Sequence, residues 1–286
     1  MTGMIDLGSV EGAARKARTR ALVVPREHGA WGLLLVPLFT GVAAGLASAQ
    51  HFWPLPLFVV VALSLFWLRT PVESLIGSGP ITARTAPERR TAWIVSLALT
   101  VVSAACLVVL MWGGRNRILL LIGFVTALAF VVQAVLRTLG RRTRMMSQLA
   151  GAIGLTATAP AAYYLGTGRL DSGGLALWAA NWLFAWNQIH FVQLRIHASQ
   201  ARTFQVKLKK GATFLVGQTL QLAVVFFALL KHYTPPLLIL AFLPAFFRGT
   251  RWFFLDHQPL DVKQLGWSEM KYGIAFGALV AIAFMK

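Results

Sequence analysis

The amino-acid sequence predicts an all-α fold, a polytopic transmembrane bundle of about nine helices. Apolar residues make up 57% of the 286 and charged residues only 13%, against the roughly one-quarter charged share of soluble domains. The 27 lysines and arginines fall between long apolar runs rather than in one patch. A net charge of +18 therefore reads as membrane topology and not as a nucleic-acid surface. Runs of about 20 predominantly apolar residues recur along the chain, which is the length a spanning helix needs.

The expected spans are Ala30 to Ala49, Phe52 to Leu68, Thr91 to Trp112, Ile118 to Leu136, Gln148 to Gly166, Gly173 to Val192, Ala212 to Leu230, Pro235 to Phe247, and Tyr272 to Met285. The first follows a basic stretch, Arg15, Lys16, Arg18 and Arg20, but is too long and lacks the cleavage site of a signal peptide, so it is expected to be retained. In the fifth, Ala150, Gly154, Thr158 and Ala162 recur every four residues and form a small-residue packing face. The eighth is short and holds Pro235, Pro236 and Pro244, which predicts a broken or tilted helix. Residues 1–21 read as a basic cytoplasmic N-terminal arm and residues 22–286 as one membrane domain.

Connections after the second, fourth, sixth and eighth spans are long and charged, from Arg69 to Arg90, Arg137 to Ser147, Gln193 to Gly211 and Arg248 to Lys271. Together with the residues ahead of Ala30 they hold 22 of the 27 basic residues. The positive-inside rule places that face in the cytoplasm of a bacterial inner-membrane protein, with the N-terminus inside and the C-terminus outside. None of the nine acidic residues is expected in the middle of an apolar run, and Cys106 stands alone, so neither a disulfide nor a cysteine metal cluster is expected.

Three polar stretches are candidate sites. Pro25-Arg26-Glu27-His28-Gly29-Ala30-Trp31-Gly32 opens the first span. It reads either as a helix start, with Glu27 complementing the positive helix end, or as a proton acceptor and donor at a cavity mouth, with Trp31 against a bound lipid. In the loop after the second span, Glu73 and Arg84 form a second candidate, Glu73 orienting an arginine that clamps an anionic head; Arg89 and Arg90 read as lipid-facing charge. The third runs through Asn181, Asn187, Gln188, His190, Gln193, Arg195, His197 and Arg202. Helical spacing puts Asn187, His190, Leu194 and His197 on one stripe, either lining a wet cavity or forming a hydrogen-bond network that fixes packing. Lys207, Lys209 and Lys210 read as surface charge.

Pro25 to Leu34, the Arg69-Thr70-Pro71 triplet and His190-Phe191-Val192-Gln193-Leu194-Arg195 resemble the YwiC-like family of bacterial membrane proteins. The resemblance covers essentially the whole chain after the arm and implies no particular reaction. The layout also resembles the UbiA superfamily of intramembrane prenyltransferases, whose nine helices carry functional loops after helices two and six. That likeness implies a cavity open to the cytoplasm and an isoprenoid- or quinone-type lipid as ligand. In it Glu27, His28, Glu73 and His190 would supply acid-base chemistry, and Trp31, Arg84, Asn187, Arg195 and Arg202 would hold the substrate. The superfamily's two aspartate-rich magnesium motifs are missing: the first loop offers only Glu73 and Glu88, and Asn181 to Gly211 holds no carboxylate. Magnesium is not supported, and no cofactor is expected. The alternative is a non-enzymatic transporter or complex subunit. A transporter calls for ionisable residues near the bilayer midplane and paired broken helices, and the sequence offers only the eighth span towards these.

Overall fold

The computed structural model describes residues 7–25, 28–47, 52–79, 81–114, 116–201, 203–254 and 260–285. Among them are α1 (Leu7–Val23), α2 (His28–Ala47), α3 (Pro54–Ile76), α4 (Ala86–Trp112), α5 (Asn116–Thr138), a 3-10 turn (Arg141–Thr143), α6 (Arg144–Thr156), α7 (Thr158–Thr167), α8 (Ser172–His197), α9 (Phe204–Leu230), α10 (Leu238–Phe254) and α11 (Val262–Met285). The described residues contain no strand. Six of the helices, α2, α3, α4, α5, α9 and α11, are long and apolar enough to cross a membrane. With no water in the bilayer to satisfy stray backbone groups, helices are the form such runs must take.

The helices gather into two compact units, one of α1, α3 and α4, the other of α2 and α5 to α11. In the first, the basic N-terminal stretch is itself helical. Its Arg18 Nε donates to Glu88 Oε1 at 2.6 Å, and Nη2 reaches the Thr82 carbonyl at 3.3 Å. Glu88 also closes a capping box on α4, accepting from the Thr85 amide while the Thr85 hydroxyl accepts from the Glu88 amide. Trp67 Nε1 donates to the Val23 carbonyl at 2.6 Å and ties α3 to the end of α1.

In the second unit α8 is central, touching α2, α6, α7, α9 and α10. Phe184 stacks on Phe276 of α11 at 3.9 Å between ring centres, and Leu177, Ala180, Leu183 and Ala185 are buried around it. On α2, Gly41 lies so close to α7 that a Cβ there would collide with the Ala159 backbone; Gly45 and Gly166 meet in the same way. Small residues let these two backbones touch, which is how helices gain packing energy where lipid already solvates apolar side chains.

The fifth expected span is divided at Ala157 into α6 and α7. Pro160 has no N–H to give the Thr156 carbonyl, so the hydrogen-bond ladder is interrupted one turn before it. The irregular helix expected from the sequence, broken or tilted, is the eighth span. There α10 begins after Pro235 and Pro236 and runs through Pro244 to Phe254 without interruption. The small-residue face is shared out across the break: Gly154 packs on Phe130 of α5, and Ala162 on Gly45 of α2.

Three long loops expected from the charge pattern are in large part helix. α8 extends to His197 and α9 starts at Phe204, while α10 reaches Phe254 and α11 starts at Val262 rather than Tyr272. α3 likewise continues to Ile76, and the turn after it uses Gly77 at φ +81, a conformation open to glycine. Part of the charge in these stretches has a partner within its own unit: Arg69 pairs with Glu73, Arg248 with Glu269, and Lys207 donates to the Trp252 carbonyl.

Candidate functional site

Four helices of the second unit converge on a buried charged cluster. Arg248 of α10 and Glu269 of α11 form an ion pair, Arg248 Nη1 donating to Glu269 Oε2, with side chains only 5% and 10% exposed. Arg248 Nη2 donates to Asn187 Oδ1 of α8 at 2.7 Å. The Asn187 amide donates to Gln221 Oε1 of α9 at 3.0 Å, and Gln221 Nε2 donates to the Leu183 carbonyl at 3.2 Å. Gln188 Nε2 donates to the Glu269 main-chain carbonyl at 2.8 Å. The guanidinium lies 4.2 Å from the Phe191 ring centre and 5.2 Å from that of Tyr272, so two aromatic rings lie against it.

An unpaired charge at this depth would cost several kcal/mol, so the pair and its amide partners form together or not at all. Two atoms are still uncommitted: Arg248 Nε and Glu269 Oε1 are buried with no hydrogen-bond partner. The Arg195 guanidinium of α8 adds to the positive potential at Glu269. Among the described residues no three His, Cys, Asp or Glu side chains gather closely enough to hold a metal ion.

The sequence-expected residues fall into several places. Asn187 belongs to the cluster, and Arg195 stands half-buried beside it. His190 is half-buried on α8, its ring edge-on to Phe214 at 5.4 Å, and among the described residues neither ring nitrogen has a hydrogen-bond partner. His197 departs from the expected stripe. It is exposed, and its Nδ1 lies 2.7 Å from the Gln193 carbonyl of its own helix, because α8 has by then emerged from its neighbours. Asn181 instead bonds Thr40 of α2, its Nδ2 donating to Oγ1 at 3.0 Å.

Glu73 and Arg84 lie in the first unit. Glu73 accepts from Arg69 Nε at 2.8 Å, one helical turn away. Arg84 is exposed, and its main-chain amide donates to Glu88 Oε2 at 2.9 Å. Trp31 is half-buried near the start of α2. Glu27 and Arg202 lie outside the described residues; of His28 only the backbone, the first residue of α2, is described.

Sequence reasoning missed Arg248, Glu269, Gln221 and Lys207. Glu269, expected in the connection from Arg248 to Lys271, is instead a buried residue of α11 that faces Arg248 of α10, the two charges cancelling between helices that a linear reading treats separately. The signal was present in the arginine that directly follows Ala245-Phe246-Phe247. Lys207, read as surface charge, is 1% exposed. Its Nζ donates to the Trp252 carbonyl at 2.9 Å and sits 5.4 Å from that residue's ring centre. Trp252 is in the last turn of α10, where carbonyls lack intrahelical donors and the helix end is negative, so a lysine is well placed. Lys209 and Lys210 are exposed, as expected.

Six membrane-length helices, with no strand among the described residues, define an α-helical multi-pass membrane protein. The model of the family described as YwiC-like protein matches residues 24–163, just under half the chain. Over these residues the chain is similar to the YwiC-like proteins. The match includes the Pro25 to Leu34 string and Arg69-Thr70-Pro71; it ends in α7, so the resemblance read into His190 to Arg195 lies beyond it, as does the buried cluster. No curated protein and no solved structure matches the chain.

Proposed function

We propose that the protein binds an amphipathic isoprenoid- or quinone-type lipid, whose polar head is read by α8 to α11 on the cytoplasmic side of a bacterial inner membrane. The observation that carries this reading is the Asn187–Arg248–Glu269 cluster. It is a charged, amide-rich centre in an otherwise apolar bundle, with one donor and one acceptor still uncommitted. Ionisable groups inside a membrane bundle are costly and mark functional sites by default. The resemblance to the UbiA superfamily read from the sequence layout points to the same class of ligand, as an architectural likeness only.

Mass spectrometry of lipid extracted from the detergent-purified protein tests the reading. An isoprenoid or quinone-type lipid is expected in the wild type and depleted in His190→Ala, Arg195→Ala and Asn187→Leu. A lipid-free wild type, or equal occupancy in all three folded variants, overturns it.

A second reading, a proton-coupled transporter, is favoured by the same buried ion pair together with the interrupted span at Ala157, since transporters place charge beside broken helices. Under it, liposomes containing the protein acidify in response to a solute gradient and Glu269→Gln abolishes the signal. A lipid-free protein that behaves so replaces the first reading.

A further inference from the structure

We infer that the turn between α5 and α6 is a binding site for an anionic phospholipid, whose phosphate pairs with Arg142 and Arg144 while its acyl region lies against Leu139 and Met146. The inference stands apart from the reading above, because it concerns another class of lipid and another set of residues.

A charge calls for a counter-charge, and the chain supplies none here. Arg137, Arg141, Arg142 and Arg144 fall within one turn, and between Glu88 and Asp171 the sequence holds no aspartate or glutamate. The carboxylates whose side chains are described are engaged elsewhere. Glu73 pairs with Arg69, Glu88 with Arg18, Asp171 with Arg169 and Glu269 with Arg248, while Asp261 accepts from the Lys263 and Gln264 amides at the start of α11. Arg137 closes α5, where a cation complements the negative helix end, and of Arg141 only the backbone is described. Arg142 and Arg144 are exposed, and neither has a hydrogen-bond or ion-pair partner among the described residues. Arg144 opens α6, whose first turn holds no acidic residue, so the positive helix end repels this cation and helix stability does not account for it.

The place selects a lipid as the source of the missing anion. α5 is long and apolar enough to cross a membrane and ends at Thr138, so the turn after it lies at a membrane surface. Leu139 and Met146, on either side of the arginines, are 64% and 60% exposed. Arginine beside exposed apolar side chains matches the two halves of a phospholipid, a phosphate for the guanidinium and hydrocarbon for the rest. A soluble phosphate ion uses the arginines alone, and a zwitterionic head brings its own cation to the same place. The turn is also held in one shape before any lipid arrives. Thr143 Oγ1 donates to the Leu136 carbonyl at 2.6 Å, Ser147 Oγ donates to the Gln133 carbonyl at 3.1 Å, and the chain reverses at Gly140 with φ +93. Little backbone freedom is lost on binding to a turn tied to α5 in this way.

The test titrates the full chain in nonionic detergent at low salt with short-chain phosphatidylglycerol, short-chain phosphatidylcholine and inorganic phosphate, read by calorimetry. Wild type is expected to bind phosphatidylglycerol roughly tenfold more tightly than either of the others. Arg142→Gln with Arg144→Gln is expected to weaken phosphatidylglycerol binding about thirtyfold, or about fivefold for each arginine. Arg89→Gln with Arg90→Gln removes the same charge from exposed positions of α4 and is expected to leave that affinity within about twofold. Leu139→Gln with Met146→Gln is expected to weaken phosphatidylglycerol binding and leave phosphate binding as it is. All these side chains are on the surface, so the variants are expected to fold, which thermal unfolding checks. Equal affinity for the two phospholipids overturns the inference, and so do equal losses in the two arginine pairs, which would make net charge the cause. Phosphate bound as tightly as phosphatidylglycerol would show an anion site that takes no lipid.

Discussion

Arg248 and Glu269 show how a single residue's meaning depends on its partner. Each alone is a charge in apolar surroundings; as a pair held by Asn187 and covered by Phe191 and Tyr272 they are a stable element of the bundle. Removing one member leaves the other uncompensated. Arg248→Met or Glu269→Leu is therefore expected to destabilise the protein by about 3–5 kcal/mol, while the double variant recovers most of the loss. Thermal unfolding in detergent across the four proteins measures this as a double-mutant cycle, and additive losses would show that the two charges do not act as a pair. Asn187 was legible as a candidate because an amide inside an apolar helix needs a partner. Which partner it found was not, since Arg248 and Gln221 lie far along the chain.

At the scale of the element, α2 and α7 are held by absent side chains. Gly41→Ala drives a methyl into the Ala159 backbone, which cannot move aside without separating the helices, and is expected to cost ~1–3 kcal/mol. Gly123 of α5 provides the contrast: a Cβ there meets nothing within 4 Å, so Gly123→Ala is expected to be neutral or slightly stabilising through helix propensity. Melting temperatures of the two variants side by side check the pair of expectations; equal losses would show that close approach is not what Gly41 provides. Helix positions were legible because each of the nine expected spans overlaps a helix of the structure. Helix ends were not, because α3, α8, α10 and α11 run on through residues whose charge suggested loop.

For the whole molecule, the 22 basic residues gathered ahead of the first span and in the four charged connections predict an odd number of crossings. A reporter enzyme active only outside the cytoplasm is expected to work when fused after Met285 and to stay silent when fused ahead of α1. Activity of both or neither would mean an even number and a different topology. The six helices that are long and apolar enough to cross leave α6 with α7, α8 and α10 as the segments whose crossing depends on their neighbours. α8 is 26 residues long, and its Asn181, Asn187, Gln188 and His190 can enter a bilayer only where the bundle receives most of them.

The sequence by itself determined the solvent and the class of fold, because composition and run length are local properties that a bilayer reads directly. It also determined that α8 carries unusual polarity. Only the tertiary structure decided what that polarity meets: a carboxylate from α11, an arginine from α10 and a glutamine from α9. The physical reason is that burying a charge is a collective event, settled by groups that are neighbours in space and strangers in sequence.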